Sequence, residues 1–317
     1  MTQFSDWRLG HSDMGLLGFC TLRLLKKKDS YRNSGIVSLT YLDIQKPYSF
    51  LDYIKGGTQI HCSFAIDFTA SNGNPTSSHS LHFLSSVPNS YEIAIQSVGN
   101  IIKDYDSDQS FPVLGFGAYI PPHGAVSQEF FVNLAQDDPY CKGIEGVLTA
   151  YRNCLRQVKL SGPSHFAPVI NHVAKFAMAY RDGTNYFILL LMTDGYISDM
   201  RKTKQAVVSA SVLPMSIIIV GVGPAYFGSM KELDSDETLL KAPDGSRAAR
   251  DIVQFVTLRD FMTPGEDYHM AMAKLAKEVL AEIPSQFLSY MRFNKIVPPP
   301  GAGNTLPAEL PLDPEFL

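Results

Sequence analysis

Apolar positions along this chain follow two periods. Runs at 60–68 (IHCSFAIDF), 111–118 (FPVLGFGA), 185–195 (NYFILLLMTDG), 216–223 (SIIIVGVG) and 251–258 (DIVQFVTL) are short and bounded by polar or glycine-rich stretches. Their length predicts strands. Three of the five are apolar at nearly every position, as strands covered on both faces are, so a parallel sheet is expected. Between them the spacing shifts to the helical period over 90–105, 143–158, 166–180 and 200–211. A last amphipathic helix is expected over 267–283, continuing past Pro284 as SQFLSYMRF. This alternation predicts a doubly wound α/β fold: a mostly parallel sheet flanked by helices, with ligands beyond the carboxyl ends of its strands.

Both ends of the chain depart from that pattern. The first 45 residues hold two strand-like pieces, LLGFCTLRLL and GIVSLTYLDI, joined by the basic stretch LLKKKDSYR with no helix between them. They read as the close of a different domain. From Pro298 the sequence PPPGAGNTLPAELPLDPEFL is proline-rich and aperiodic, the signature of a flexible tail. The expected divisions are therefore 1–45, 46–290 and 291–317.

The expected strand ends carry oxygen-rich chemistry. In IDFTASNG, Asp67, Thr69 and Ser71 alternate, so an extended backbone turns all three side chains the same way. The run LLLMTDG places Asp194 at a second strand tip, with Gly195 free to turn sharply. The loop KLSGPSHFAP offers Ser164 just before a helix. Two carboxylates and three hydroxyls suit a hard cation such as Mg²⁺ or Mn²⁺. Two carboxylates balance the divalent charge, which leaves a position for a carboxylate from a partner.

Composition narrows the classes. Apolar residues make up 45% and charged residues 18% of the 317, ordinary for a globular protein. A formal net charge of −4 argues against a nucleic-acid partner. Four cysteines without C-x-x-C spacing form neither a metal knuckle nor a disulfide framework, which fits a reducing, cytoplasmic setting. No signal-peptide pattern and no membrane-length apolar run is present.

Several partial motifs fail on inspection. Asp104, Asp106 and Asp108 open like an EF-hand loop, but Gln109 stands at the glycine position and Gly115 at that of the bidentate glutamate. GVGPAYFG has Tyr226 in place of the third glycine of a dinucleotide loop, and no clear helix start follows. There is no phosphate-binding G-x-x-x-x-G-K-[ST], no G-x-S-x-G and no H-E-x-x-H. His165 borders Ser164 and His172 lies seven residues on; both read as local polar residues. Asp199 reads as a helix cap. No catalytic or organic cofactor-binding residue is expected.

DFTAS, the later GPS loop and LLLMTDG resemble, in order, the three-loop metal-ion-dependent adhesion site of von Willebrand factor A domains. FLDYIKGGTQI, AIDFTASNGNP, YDSD with FPVLGFGA, HFAPVINHVA and LPMSIIIVGVG together look like one branch of that superfamily, the copines. The resemblance runs from about Ser49 to Ser289. It implies a von Willebrand factor A-like fold over 46–290 and a metal site of Asp67, Thr69, Ser71, Ser164 and Asp194. The family usually has threonine where Ser164 stands; serine keeps the hydroxyl but lacks the methyl that helps fix its rotamer.

Copines carry two C2 domains ahead of the A domain, and 11–45 look like the closing strands of the second. Of the aspartates such domains use for calcium, only Asp13, with Asp6, could belong here, against the six to eight oxygens a calcium site needs. The resemblance implies a calcium-dependent phospholipid-binding protein whose A domain, loaded with Mg²⁺ or Mn²⁺, recruits intracellular partners through an acidic side chain. A full-length relative would take Ca²⁺ in its C2 domains and move from the cytoplasm to the plasma membrane as calcium rises. Two other classes stay open: a metal-free scaffold, and an enzyme using the same cleft, for which His165 is a poor base.

Overall fold

Valine, isoleucine, leucine and phenylalanine fill the middle of each expected strand, and these strands pair side by side in parallel. The computed structural model describes residues 47–102, 106, 109–122, 124–234, 238–262 and 267–299. The expected C2 strands with Asp6 and Asp13, Asp104 and Asp108 of the acidic run, and the tail from 300 onward lie outside the described residues. In chain order the first elements are α1 (Phe50–Lys55), β1 (Gln59–Asp67), α2 (Ser90–Ile102), β2 (Ser110–Phe116), β3 (Ala118–Tyr119) and β4 (Val126–Ser127). Next come β5 (Phe130–Phe131), β6 (Tyr140–Lys142), α3 (Gly143–Leu155), β7 (Lys159–Leu160), α4 (Ala167–Ala179) and β8 (Asn185–Thr193). The chain then forms α5 (Met200–Ala210), β9 (Met215–Gly221), α6 (Gly228–Leu233), β10 (Val253–Thr257), α7 (Tyr268–Val279) and α8 (Ile283–Phe293).

The main sheet runs β10-β9-β8-β1-β2-β5, with β6 also paired to β2. β1, β2, β8, β9 and β10 are mutually parallel, and β5 and β6 close the edge antiparallel to β2. Alternation along β1 separates two cores. Phe64 and Ile66 enter a layer with Tyr151, Tyr186 and Phe287, while Ala65 enters one with Val169, Leu189 and Val207. Apolar burial on both faces is what the continuous apolar runs encode. The expected mixed α/β, doubly wound architecture is therefore the observed one.

Short pairings escaped the sequence because two or three residues show no period. They comprise the edge strands β5 and β6 and the small sheet β4-β3-β7. α1 was likewise not expected. A helix does begin after GVGPAYFG, at Gly228, although it lasts only six residues. The C-terminal boundary also shifts. α8 ends at Phe293 with Met291 fully buried, and the Tyr53 hydroxyl donates to the Ile296 carbonyl at 2.8 Å. Packing thus continues past residue 290, where the tail was expected to have begun.

Arg250, 6% exposed, knits the connection before β10 to this scaffold. Its Nη2 donates to the carbonyls of Leu213 (2.5 Å) and Met215 (2.6 Å), and its Nη1 to that of Gln286 (3.2 Å). The guanidinium also lies 5.4 Å from the Tyr290 ring centre. Replacing it with an apolar residue removes three donors from a buried site. Arg250→Leu is expected to lower the unfolding free energy by roughly 2–4 kcal/mol in urea titrations; an unchanged midpoint would show that the carbonyls find other donors.

Candidate metal centre

The sheet order reverses at β1. β2 lies on one side of it, and β8, far later in the chain, lies on the other. The gap between the carboxyl ends of β1 and β8 is thus a topological switch point, the usual place for a ligand in an open α/β sheet. Asp67 ends β1, and Asp194 is the first residue beyond β8. Both are buried, at 0% and 7% exposure.

Local chain geometry fixes the Asp67 carboxylate. Past Phe68 the chain leaves the sheet and makes one 3-10 turn at Ala70–Asn72. Asp67 Oδ1 then accepts the Thr69 backbone N–H at 2.9 Å and the Thr69 hydroxyl at 2.6 Å. Oδ2 accepts the Thr193 hydroxyl across the sheet at 2.8 Å. Since Thr69 has given its only hydroxyl proton to Asp67, the 3.0 Å contact between Thr69 Oγ1 and Ser71 Oγ has Ser71 as donor. Ser71 is exposed, so its hydroxyl can turn to present a lone pair instead.

Two other loops are joined to this one. Thr69 bridges Ser161, and the Ala70 N–H donates to the Ser161 carbonyl at 2.6 Å. Three residues on, the Ser164 carbonyl accepts the Ser198 N–H at 2.9 Å, which ties in the loop after β8. Asp67, Thr69 and Ser71 are thus in direct contact, and Asp194 acts on Asp67 through its charge. Ser164 is 2% exposed on the loop joined to both. Gly117, at φ +83°, completes the fit: a Cβ there would lie 2.3 Å from the Thr69 methyl.

Electrostatically the two carboxylates are a poor pair without a counter-charge. Burial, and then the charge of Asp194, push the Asp67 carboxyl up to about 7 against the lowering effect of its Thr69 and Thr193 hydrogen bonds. Asp194 Oδ1 is buried with no hydrogen-bond partner. An orphaned carboxylate oxygen, with a buried carboxyl that Thr69 and Ser71 join to two hydroxyls, is a donor set that fits a hard divalent cation. Among the described residues no group of three His, Cys, Asp or Glu gathers as a metal cluster. The candidate set is instead two carboxylates with hydroxyls.

Sequence reading missed the supports of this site. His82, fully buried, sits behind Asp67: Nε2 lies 2.8 Å from the Asp67 carbonyl and Nδ1 2.6 Å from the Tyr151 hydroxyl. Burial pushes the imidazole down to about 3, opposed by its bond to that carbonyl, so the ring is neutral at ordinary pH. A carbonyl can only accept, so Nε2 carries the proton and Nδ1 accepts from Tyr151. Tyr91 stacks on His82 at 4.2 Å and donates to Asn72 Oδ1 at 2.7 Å. The Asn72 amide then donates to the Thr69 carbonyl at 3.2 Å. Thr193 was legible as a hydroxyl beside Asp194; His82, Tyr91 and Tyr151 gave no local signal.

The remaining candidates have structural roles. Asp199 stands at the N-cap position of α5, but its carboxylate joins two helices: it accepts the N–H groups of Phe166 (3.0 Å) and Ala167 (3.1 Å) at the start of α4 and the Thr203 hydroxyl (3.0 Å) of α5. His165 is half-buried and makes no side-chain hydrogen bond, and His172 pairs with Glu129 at 2.6 Å. Asp106 accepts the Gln109 N–H at 3.2 Å in the turn between α2 and β2. A concavity of about 490 Å³ between residues 132–134 and α3 contains none of the candidate ligands.

The raised Asp67 carboxyl gives a signed pH dependence. The folded chain keeps this proton up to about pH 7, whereas the unfolded chain releases it near its ordinary value of about 4. In chelator, stability from this group is therefore present at acid pH and lost as pH rises through that window, by up to about 1.4 kcal/mol per unit. Denaturant midpoints measured from acid to neutral pH should fall for the unmutated chain, and the Asp67→Asn variant should lack that contribution. Identical profiles would show that Asp67 does not titrate there.

The copine family model matches residues 80–299, a span that includes Ser164 and Asp194 and starts beyond Asp67, Thr69 and Ser71. Among solved structures, the manganese-loaded TRAP protein of Plasmodium vivax is 10% identical, over 68% of this chain and 72% of its own, with a TM-score of 0.40. The VWA domain of SpRpn10 is 11% identical, over 69% and 94%, at 0.43. Proximal thread matrix protein 1 of the mussel byssus, with a zinc-occupied MIDAS motif, is 15% identical, over 74% of this chain but only 48% of its own, at 0.39. These structural likenesses are distant, whereas the family match spans well over half of the sequence. The chain belongs to the copine family.

Proposed function

We propose that this chain is a copine-type interaction module that docks acidic side chains of partner proteins at a Mg²⁺ or Mn²⁺ ion held by Asp67, Thr69, Ser71, Ser164 and Asp194. The observation that carries the reading is the buried, unpartnered Asp194 Oδ1 facing a carboxyl that burial has already raised. A divalent cation supplies the charge that lets both carboxylates stay ionised, and it offers an open position to an incoming carboxylate. Thr69 and Thr193 hold the Asp67 oxygens in place, so little reorganisation accompanies loading. His82 fixes the backbone behind Asp67 and is not free to act as a base. The module is therefore proposed as a binding device and not an enzyme. Calcium-dependent phospholipid binding through C2 domains, with recruitment from the cytoplasm to the plasma membrane, is proposed on the family resemblance alone.

Thermal melts with Mg²⁺, Mn²⁺ or Ca²⁺ test the ion. An ion at about 100 times its Kd stabilises a fold by roughly 2.7 kcal/mol, so Mg²⁺ or Mn²⁺ should raise the Tm of the unmutated chain. Asp67→Ala should show no such rise. No shift in either protein at saturating ion would leave a metal-free scaffold as the better reading. Gly117→Ala tests the hydroxyl ligand separately. Its new methyl meets the Thr69 methyl, so the ion-dependent rise in Tm should shrink well below that of the parent.

A further inference from the structure

We propose that Asn72, held by Tyr91, is a positioning residue that aims the Thr69 hydroxyl at the ion and so sets the site's preference for a small octahedral cation over calcium. This rests on the metal-docking reading and extends it from which oxygens bind to which ion they select.

The geometry around one oxygen carries the inference. A hydroxyl oxygen has one proton and two lone pairs. The Thr69 proton goes to Asp67 Oδ1 at 2.6 Å. Its lone pairs face two donors, Ser71 Oγ at 3.0 Å and Asn72 Nδ2 at 3.4 Å. These donors differ in freedom. Ser71 is exposed, and its hydroxyl turns about a single bond. Asn72 is 1% exposed, and both ends of its amide are engaged. Nδ2 also donates to the Thr69 carbonyl at 3.2 Å, and Oδ1 accepts the Tyr91 hydroxyl at 2.7 Å. Reversing the amide would set Oδ1 against the Thr69 carbonyl, two acceptors face to face, so the Tyr91 proton fixes which way it points. The main chain is pinned as well: the Asn72 carbonyl accepts Ser80 Oγ and the Leu81 N–H, both at 2.9 Å.

Tyr91 is itself held in place. It is fully buried on α2 and stacks on His82 with ring centres 4.2 Å apart. Burial, and then the charges of Asp67 and Asp194, keep its phenol well above the usual range, so it retains the proton it donates. One Thr69 lone pair is thus committed to a buried, fixed donor, and the other to a hydroxyl that can swing away. A cation therefore meets Thr69 on the side of Ser71, whose own lone pair can turn to the same ion. Direction matters unequally to the two kinds of ion. Mg²⁺ demands near-ideal octahedral geometry at about 2.0–2.1 Å, whereas Ca²⁺ accepts a looser shell of about six to eight oxygens at about 2.3–2.6 Å. A Thr69 hydroxyl left free to turn costs Mg²⁺ more than Ca²⁺.

Isothermal titration of the full chain with MgCl₂ and with CaCl₂ tests this. Tyr91→Phe removes only the hydroxyl that orients the amide. Y91F/N72L removes both partners, and the Thr69 carbonyl keeps the backbone N–H of position 72, so its urea midpoint should recover toward that of the parent. Both variants should bind Mg²⁺ about tenfold more weakly and Ca²⁺ no more than about twofold. Arg250→Leu, which loosens the amino-terminal end of β9, should leave both constants unchanged. Equal weakening of both ions, or an unchanged Mg²⁺ constant in Tyr91→Phe, overturns the proposal and leaves the metal reading standing. A matching Mg²⁺ loss in Arg250→Leu overturns it too, because the effect is then one of stability alone. Where the unmutated chain takes Mg²⁺ and no Ca²⁺, the contrast between Tyr91→Phe and Arg250→Leu decides. If the unmutated chain binds neither ion, the metal reading falls and this proposal with it.

Discussion

A carboxylate with no solvent exposure, at the tip of the central strand, is the constraint around which this domain is arranged. Burying Asp67 is unfavourable unless its carboxyl is hydrogen-bonded, and the chain brings three donors to it. Thr69 supplies two donors from the strand's own continuation, Thr193 one from the neighbouring strand, and His82 anchors the peptide behind. Each donor exists only because another element holds it. Thr69 needs Gly117 to leave space for its methyl, and His82 needs Tyr151 on α3 to fix its proton. The supports of the site thus reach as far as α3.

The loops at this end of the sheet are bound to one another as well as to their own helices. The Asp199 carboxylate links the starts of α4 and α5, the Ser164 carbonyl takes a hydrogen bond from Ser198, and Thr69 bridges Ser161. Such cross-stitching lets three loops hold a fixed geometry without metal, the preorganisation a docking site needs. It also leaves costs in place. Asp194 keeps an orphaned oxygen, and α5 starts without a side-chain cap under two cations.

Elsewhere the buried polar groups are met only in part: Arg250 Nε, Gln254 Oε1 and Gln286 Oε1 also stay without a partner among the described residues. α2 opens with a reciprocal capping box, in which the Glu92 N–H bonds Asn89 and the Asn89 N–H bonds Glu92. Arg250 satisfies buried carbonyls around α8, and Phe287 packs edge-on against Phe50 and Tyr186.

The sequence alone determined the layers. Apolar runs without alternation demand burial on both faces, so β1, β2, β8, β9 and β10, and the helices between them, were legible as periods. It also determined the candidate oxygens, because D-x-T-x-S after a core strand and a strand-end Asp194 are local strings. Tertiary structure decided whether those oxygens meet. Strand order put Asp67 beside Thr193 and Asp194, although more than a hundred residues separate them, and periodicity is blind to order. Only packing could reveal His82, Tyr151 and Gly117 as supports, since each acts through a contact distant in sequence. The same reason explains Asp199: its sequence neighbours suggested capping, but the second helix that its carboxylate joins was chosen by how the loops fold together.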